Sequence, residues 1–102
     1  MDVYKLMKLL SDPTRMKILF VIHNKPSYVQ EIVDITQQSQ ANVSKHLKKL
    51  RELEIVVTET EGNKVKYSMN SCYLNQCIVF VPLMNTYRNH PDGIDLLERI
   101  NN

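Results

Sequence analysis

The chain has 102 residues, of which 43% are hydrophobic and 24% are charged, and it contains two cysteines. This length allows one compact domain with a modest core, and two cysteines are too few for a disulfide framework. The longest apolar run, 77–84, is too short to span a bilayer, and no signal-peptide pattern is present, so we expect a cytoplasmic protein. A net charge of +2 indicates a polyanionic partner only weakly.

Two helices are predicted at the start of the chain. Leucines recur at helical spacing over 4–10 and predict the first helix. Asp12 then caps the second, because its carboxylate can accept free backbone N–H groups and Pro13, at the first helical position, has none to lose. We expect this second helix to run to His23.

Two further helices are predicted next, separated by a short turn. Ser27 and Gln30 have the spacing of a capping box, so the third helix should begin at Ser27. The polar stretch 37–39 then turns the chain into a fourth helix, predicted over about 40–53. Its core-facing stripe consists of Val43, Leu47 and Leu50.

A β-hairpin is predicted over about 55–69. Strand composition before the turn Glu61-Gly62-Asn63 and alternation after it give this hairpin a basic outer face. A last long helix is predicted over 73–88, with Pro82 kinking or splitting it. We expect 89–102 to be a polar tail, with no more than a short helical turn near its leucines.

The order of these elements is typical of a winged helix-turn-helix domain, over 1–88. This fold is mainly α with a β-hairpin: about five helices and a two-stranded wing. Helix 4 of such a domain enters the major groove of DNA, and the wing lies against phosphates. Lysines on the exposed face of helix 4 can neutralise phosphates, whereas its polar N-terminal side chains can contact base edges. The candidate DNA-contacting residues are Ser39, Gln40, Ala41, Asn42, Ser44, Lys45, His46, Lys48, Lys49, Asn63, Lys64 and Lys66.

Other functions fit the sequence less well. A solvated charged face is the simplest alternative for helix 4, because many surface helices carry one. A protein-interaction module would present apolar residues there, where this chain has lysines. An enzyme is disfavoured, because two isolated glycines cannot form a phosphate-cradling loop and no nucleophile–base or paired-carboxylate pattern is present.

Two stretches resemble the ArsR/SmtB family of repressors: 10–19, which reads LSDPTRMKIL, and 38–50, which reads QSQANVSKHLKKL. The resemblance covers about 4–88 and implies a homodimer that binds a palindromic operator in double-stranded DNA, with the first and last helices at the dimer interface. The predicted last helix is consistent with a dimer, because it carries apolar residues on more faces than a single domain needs to bury. Glu54 departs from the family, where many relatives have glycine, and this affects the local turn. The candidate interface residues are Leu6, Leu9, Ile78, Val81 and Met84.

The family resemblance also suggests a role in metal sensing, but the usual metal ligands are missing from this sequence. Many relatives bind metal at cysteines on helix 3, but the counterpart here, 29–35, has none. Others use Asp, His and Glu on the last helix, but 73–88 contains no histidine or carboxylate. His90 and Asp92 alone do not make a four-ligand zinc site. We therefore predict no metal, cofactor or small-molecule substrate.

Two features of the sequence, the pair of cysteines and His46, each allow two interpretations. Cys72 and Cys77 could form a disulfide or bind a soft metal and so alter operator affinity; alternatively, Cys77 is a small buried hydrophobe and Cys72 an incidental thiol. His46 lies at the edge of the exposed face of helix 4, so a DNA phosphate contact and a local hydrogen bond fit it equally well.

Overall fold

The computed structural model describes residues 3–72 and 79–102. Within these ranges it contains six helices and a three-stranded sheet, in the winged helix-turn-helix order that the sequence predicts. The elements are α1 Val3–Leu10, α2 Pro13–Asn24, β1 Ser27–Tyr28, α3 Val29–Thr36, α4 Gln40–Glu52, β2 Val56–Glu61, β3 Lys64–Met69, α5 Phe80–Tyr87 and α6 Pro91–Asn101.

Helix α2 begins as predicted and forms the centre of the core. The Oδ1 atom of Asp12 accepts the backbone N–H of Arg15 at 2.9 Å, and Pro13 is the first helical residue. This hydrogen bond is the main cause that lowers the pKa of the Asp12 carboxyl below its usual value. The segment from Ile18 to Ile22 is fully buried, so α2 is covered on all sides by the other elements.

The start of α3 lies two residues after the predicted one. The helix begins at Val29, and the backbone N–H of Tyr28 donates to Glu31 Oε1 at 3.0 Å, so the predicted box of Ser27 and Gln30 is wrong. Ser27 instead belongs to β1, where it pairs with Tyr67 of β3. Pairing with a distant strand therefore overrides the local capping signal, and it extends the expected two-stranded wing to three strands in the order β1-β3-β2.

The wing is an antiparallel hairpin connected by two residues, Gly62 and Asn63. Gly62 has a φ of 63°, a left-handed conformation that glycine adopts without steric cost. The link from α4 to β2 also needs a left-handed residue, and Glu54 supplies it with a φ of 60°. The side-chain amide of Asn70 donates to the carbonyl of Glu54 at 2.8 Å and holds this turn.

Within the segment 89–102, residues Pro91–Asn101 form a helix, so the expectation of a polar tail is wrong. Helix α6 buries Leu96 in the core, and Arg99 Nη1 donates to the carbonyl of Ile35 at the end of α3. Gly93 lets α6 approach α5, because a Cβ there would lie 1.9 Å from the carbonyl oxygen of Tyr87. The polar composition hid an amphipathic helix that supports the helix-turn-helix unit.

Of the predicted last helix over 73–88, the described part is α5. It begins at Phe80 and has Pro82 in its first turn, where a missing N–H costs nothing. The rest of the prediction, with Cys77 and Ile78, lies outside the described residues. Phe80 and Met84 are 0% and 1% exposed, so they pack into the chain's own core.

Candidate nucleic-acid interface

One face of α4 is buried and the other is open to solvent, as its apolar spacing predicts. Val43, Leu47 and Leu50 are at most 1% exposed and anchor the helix on the core. Their burial directs the polar and basic side chains outward. The exposed side chains of α4 are those of Gln40, Ala41, Ser44, Lys45, Lys48, Lys49, Arg51 and Glu52.

The turn between α3 and α4 fixes the N-terminal end of that face. Gln37 ends α3 in a left-handed conformation, with φ 57°, and its N–H donates to the carbonyl of Val33 at 2.8 Å. Ser39 caps α4, since its Oγ accepts the N–H of Asn42 at 3.1 Å. The predicted contact residue Ser39 is thus also a structural cap.

Asn42 is less free than its position on α4 suggests. It is half-buried, and its side-chain amide donates to Gln38 Oε1 at 3.1 Å. Gln40, Ala41 and Ser44 are exposed around it. The N-terminal end of α4 therefore presents exposed side chains together with Asn42, whose side chain is already oriented by a hydrogen bond.

His46 is buried, with 6% of its surface exposed, so it is not at the open edge of α4. Its pKa is lowered chiefly by desolvation, and also by the charges of Arg15 and Lys45, whereas Asp12 opposes the shift. A neutral, buried ring is a poor partner for a phosphate. Of the two interpretations of His46, its burial therefore disfavours the phosphate contact.

The C-terminal half of α4 meets basic side chains from α1 and α2 that the sequence reasoning missed. A cleft of about 360 Å³ is lined by Arg15, the three lysines of α4, His46 and Glu52. A second cleft of about 310 Å³ is lined by Lys5 and Lys8 of α1 together with Arg15 and Lys49. We call the following set the basic surface: Lys5, Lys8, Arg15, Lys45, Lys48 and Lys49.

The wing lysines have carboxylates opposite them. In the register of the hairpin, Lys64 pairs with Glu61 and Lys66 pairs with Glu59. Both ammonium groups also lie over the ring of Tyr28, at 5.3 and 5.6 Å from its centroid. The Tyr28 hydroxyl donates to the Glu61 carboxylate, and this bond is the main cause of the raised pKa of Tyr28. Asn63 is exposed at the wing tip.

The other predicted residues are placed as follows. Among the interface candidates, Val81 is 42% exposed and Leu6 is half-buried, whereas Leu9 is 4% exposed and, like Met84, packs into the core of its own chain. Cys72 is exposed. Because Cys77 is outside the described residues, the thiol-sensing interpretation stays a prediction.

Neither a metal cluster nor a membrane helix is found in the described ranges. No group of three or more His, Cys, Asp and Glu side chains in 3–72 and 79–102 could hold a metal ion. His90 caps α6, with its Nδ1 accepting the N–H of Asp92 at 3.1 Å. In the same part of the chain, no helix has the length and apolarity needed to cross a membrane.

Comparison with known sequences agrees with the fold and the exposed helix. A family model described as "Bacterial regulatory protein, arsR family" matches residues 12–58. The chain is 32% identical over 85 residues to the arsenical resistance operon repressor of Staphylococcus aureus, covering 83% of this chain and 82% of that one. It is 37% identical over 79 residues to a cadmium resistance transcriptional regulatory protein, a CadC homolog of the same species, covering 76% of this chain and 65% of that protein.

Comparison with solved structures gives the same class. The transcriptional repressor BigR from Xylella fastidiosa is similar with a TM-score of 0.68 and 26% identity, over 84% of this chain and 79% of that one. The transcriptional regulator HlyU from Vibrio vulnificus gives a TM-score of 0.65 and 30% identity, over 78% and 82%. Fold and exposed helix together define a winged helix-turn-helix DNA-binding domain. The chain belongs to the ArsR family and is a DNA-binding transcriptional regulator.

Proposed function

We propose that the protein is a homodimeric repressor that binds a palindromic operator, with α4 in the major groove and the wing against the phosphate backbone. The observation that carries the proposal is the exposed face of α4, which is polar near its N-terminus and basic toward its C-terminus. Bases are read by amides and hydroxyls, and phosphates are neutralised by lysines. The repressors that the chain resembles support the same role.

A second copy would cover apolar side chains that are exposed in the single chain. On α1, Val3, Tyr4 and Met7 are 59%, 81% and 62% exposed, and Val81 of α5 is 42% exposed. A cluster of exposed apolar side chains, such as the three on α1, marks an interaction site. We therefore propose that α1 and α5 form the dimer interface, with Leu6 at its edge and with Val3, Tyr4 and Met7 in place of the core residues Leu9 and Met84.

The absence of the usual ligands supports a repressor whose release from DNA does not use the conventional metal sites. Two similar proteins are named for cadmium and arsenical resistance. The α3 segment of this chain, Val29–Thr36, contains no cysteine, and Asp34 and Glu31 are its only carboxylates. Thiolate is the ligand type that soft metals prefer, so α3 offers no site for them.

The function is tested by selecting bound sites from random double-stranded DNA with the full chain. We expect an inverted repeat, because a two-fold dimer presents two α4 helices to successive major grooves. Gln40→Ala should relax the selected sequence at one position in each half-site, at a cost of about 1–3 kcal/mol per lost base contact. Asn101→Ala, an exposed amide outside α4 and the wing, is the control.

Recovery of no enriched sequence would contradict the proposal, as would an enriched sequence that Gln40→Ala and Asn42→Ala both leave unchanged. The dimer is tested separately by light scattering, where the parent should have twice the chain mass. Met7→Asp should give a monomer that stays folded, since Met7 is exposed.

A further inference from the structure

The basic surface concentrates positive charge beyond what the whole chain suggests. The net charge is only +2, with 13 Lys and Arg side chains against 11 carboxylates. Six of those 13 cations converge on the two clefts beside α4, and Glu52 is the one carboxylate among the described residues that line them. Like charges repel when they are brought together, so this clustering indicates a polyanionic ligand.

Three helices build this surface, and Arg15 links them. Arg15 lies on α2 and lines both clefts, and its Nη1 donates to the carbonyl of Leu9 at the end of α1 at 3.1 Å. Lys49 of α4 also lines both clefts. Lys8, which is exposed on α1, is therefore held on the same side of the molecule as the basic half of α4.

The basic surface and the wing tip lie at opposite ends of α4. The wing tip residues Asn63 and Lys64 share a cleft with Gln40, the first residue of α4. The basic surface adjoins the segment from Lys45 to Leu53 at the other end. A 13-residue helix is about 20 Å long, and duplex DNA carries a charge about every 1.7 Å along its axis. A duplex that contacts both ends of α4 therefore brings separate phosphates to each.

We propose that Lys8 and Arg15, together with Lys49, form a second phosphate-binding surface, which contacts the operator backbone at the end of α4 remote from the wing. The inference rests on the proposed function, because it needs a duplex bound along α4. It adds α1 and α2 to the DNA interface, with a role that is independent of base sequence. Lysine and arginine on a phosphate neutralise charge and release counterions, and so contribute affinity without discrimination.

The test compares Lys8→Gln with Lys17→Gln on the selected operator. Both variants remove one positive charge, and Lys17 is two residues from Arg15 on α2, about 200° around the helix axis. Dissociation constants are measured over a series of salt concentrations. We expect Lys8→Gln to reduce the slope of log K against log salt by about 2, one phosphate contact in each half-site, and to weaken selected and random DNA equally. Lys17→Gln should retain the parent slope.

A second measurement maps the contacts directly. Phosphate ethylation interference on the operator should show phosphates whose modification weakens the parent but has no effect on Lys8→Gln. Molecular mass is measured at the assay concentration, because α1 is also the proposed dimer helix. Lys8 is chosen over Arg15 because Arg15 has a structural hydrogen bond that its replacement would break.

Equal slopes for the parent, Lys8→Gln and Lys17→Gln would overturn the inference while leaving the proposed function intact. An equal reduction of the slope by the two variants would also overturn it, since net charge alone would then explain the loss. Failure of the parent to enrich any sequence would instead contradict the proposed function. A reduced slope for Lys8→Gln alone, with matching loss of an interference signal, supports the second surface.

Discussion

The two ends of the DNA-facing side differ in how charge is arranged. At the wing end, Lys64 and Lys66 each lie opposite a glutamate in the backbone register of the hairpin, and their ammonium groups lie over the ring of Tyr28. At the end formed by α1, α2 and the C-terminal half of α4, six cations line two clefts, and Glu52 is the one carboxylate among the described residues that also lines them, with Asp12 close enough to Arg15 for their charges to interact. Opposite charges on paired strands stabilise a hairpin but reduce the charge available to a ligand. Counting lysines therefore does not tell which of them bind phosphate.

The largest expected effect comes from removing two charges at each end in turn. Lys48→Gln with Lys49→Gln should weaken operator binding at least about 100-fold, because two charge-assisted contacts are lost in each half-site. Lys64→Gln with Lys66→Gln should cost less than about 10-fold, because the wing glutamates already offset those lysines. Fluorescence anisotropy with a labelled operator measures both. Equal losses, or a larger loss at the wing, would remove the contrast between the two ends.

The next effect concerns the turn that joins α4 to the wing. Glu54 has a φ of 60°, which strains a residue with a Cβ. Glu54→Gly should therefore raise the free energy of unfolding by about 0.5–1 kcal/mol, after the entropy of glycine in the unfolded chain is counted. Glu54→Ala, which removes the charge but keeps the strain, is the control. If urea titrations show both variants equally stabilised, charge and not backbone strain is the cause.

A smaller effect should follow from removing one glutamate of the wing. Glu59→Gln removes the carboxylate opposite Lys66 in the hairpin register and should strengthen DNA binding about 3-fold, with a steeper salt dependence. Glu98→Gln, an exposed carboxylate on α6, gives the same change in net charge. The argument requires the gain in DNA affinity of Glu59→Gln to exceed that of Glu98→Gln, and it is wrong if the two gains are equal.

The smallest expected effect is a pH dependence of the free energy of unfolding. It should come from His46, which lines a cleft of the basic surface. Desolvation lowers the pKa of His46 below its usual 6.5, so the unfolded chain binds a proton that the folded chain resists. Stability should then fall as the pH drops from about 6.5 toward the lower folded pKa. His46→Gln should lose less stability between about pH 7.5 and about pH 5.5 than the parent, by urea titration. The pKa of His23 is also lowered, but His23 is present in both the parent and the variant, so it does not affect the difference between them. An identical loss in the two proteins would contradict the assignment to His46.

The predictable parts of the fold depend on residues that are close in sequence. The cap of α2 by Asp12 and the buried stripe of α4 follow from spacing alone, and both are confirmed. The hairpin follows from alternation around Gly62, and the special turn at Glu54 was visible as a departure from the family pattern. These features need no knowledge of distant contacts.

The features that sequence reasoning missed depend on contacts between distant segments. Ser27 joins a strand because Tyr67 lies beside it, 40 residues on in sequence. Pro91 at the first position of α6 was an available start signal, but the polar composition outweighed it. Arg15 and Lys8 become part of one surface with Lys49 only when α1, α2 and α4 are packed.

The central claim is that the exposed face of α4 binds operator DNA. Lys45→Ala tests it most directly, because Lys45 is exposed in the middle of that face and lines the cleft it shares with Arg15. Binding of the selected operator is measured against salt concentration for the parent and the variant. The account predicts weaker binding and a slope reduced by about 2, because the two protomers each lose one phosphate contact. Unchanged affinity and unchanged slope would show that α4 does not contact the DNA.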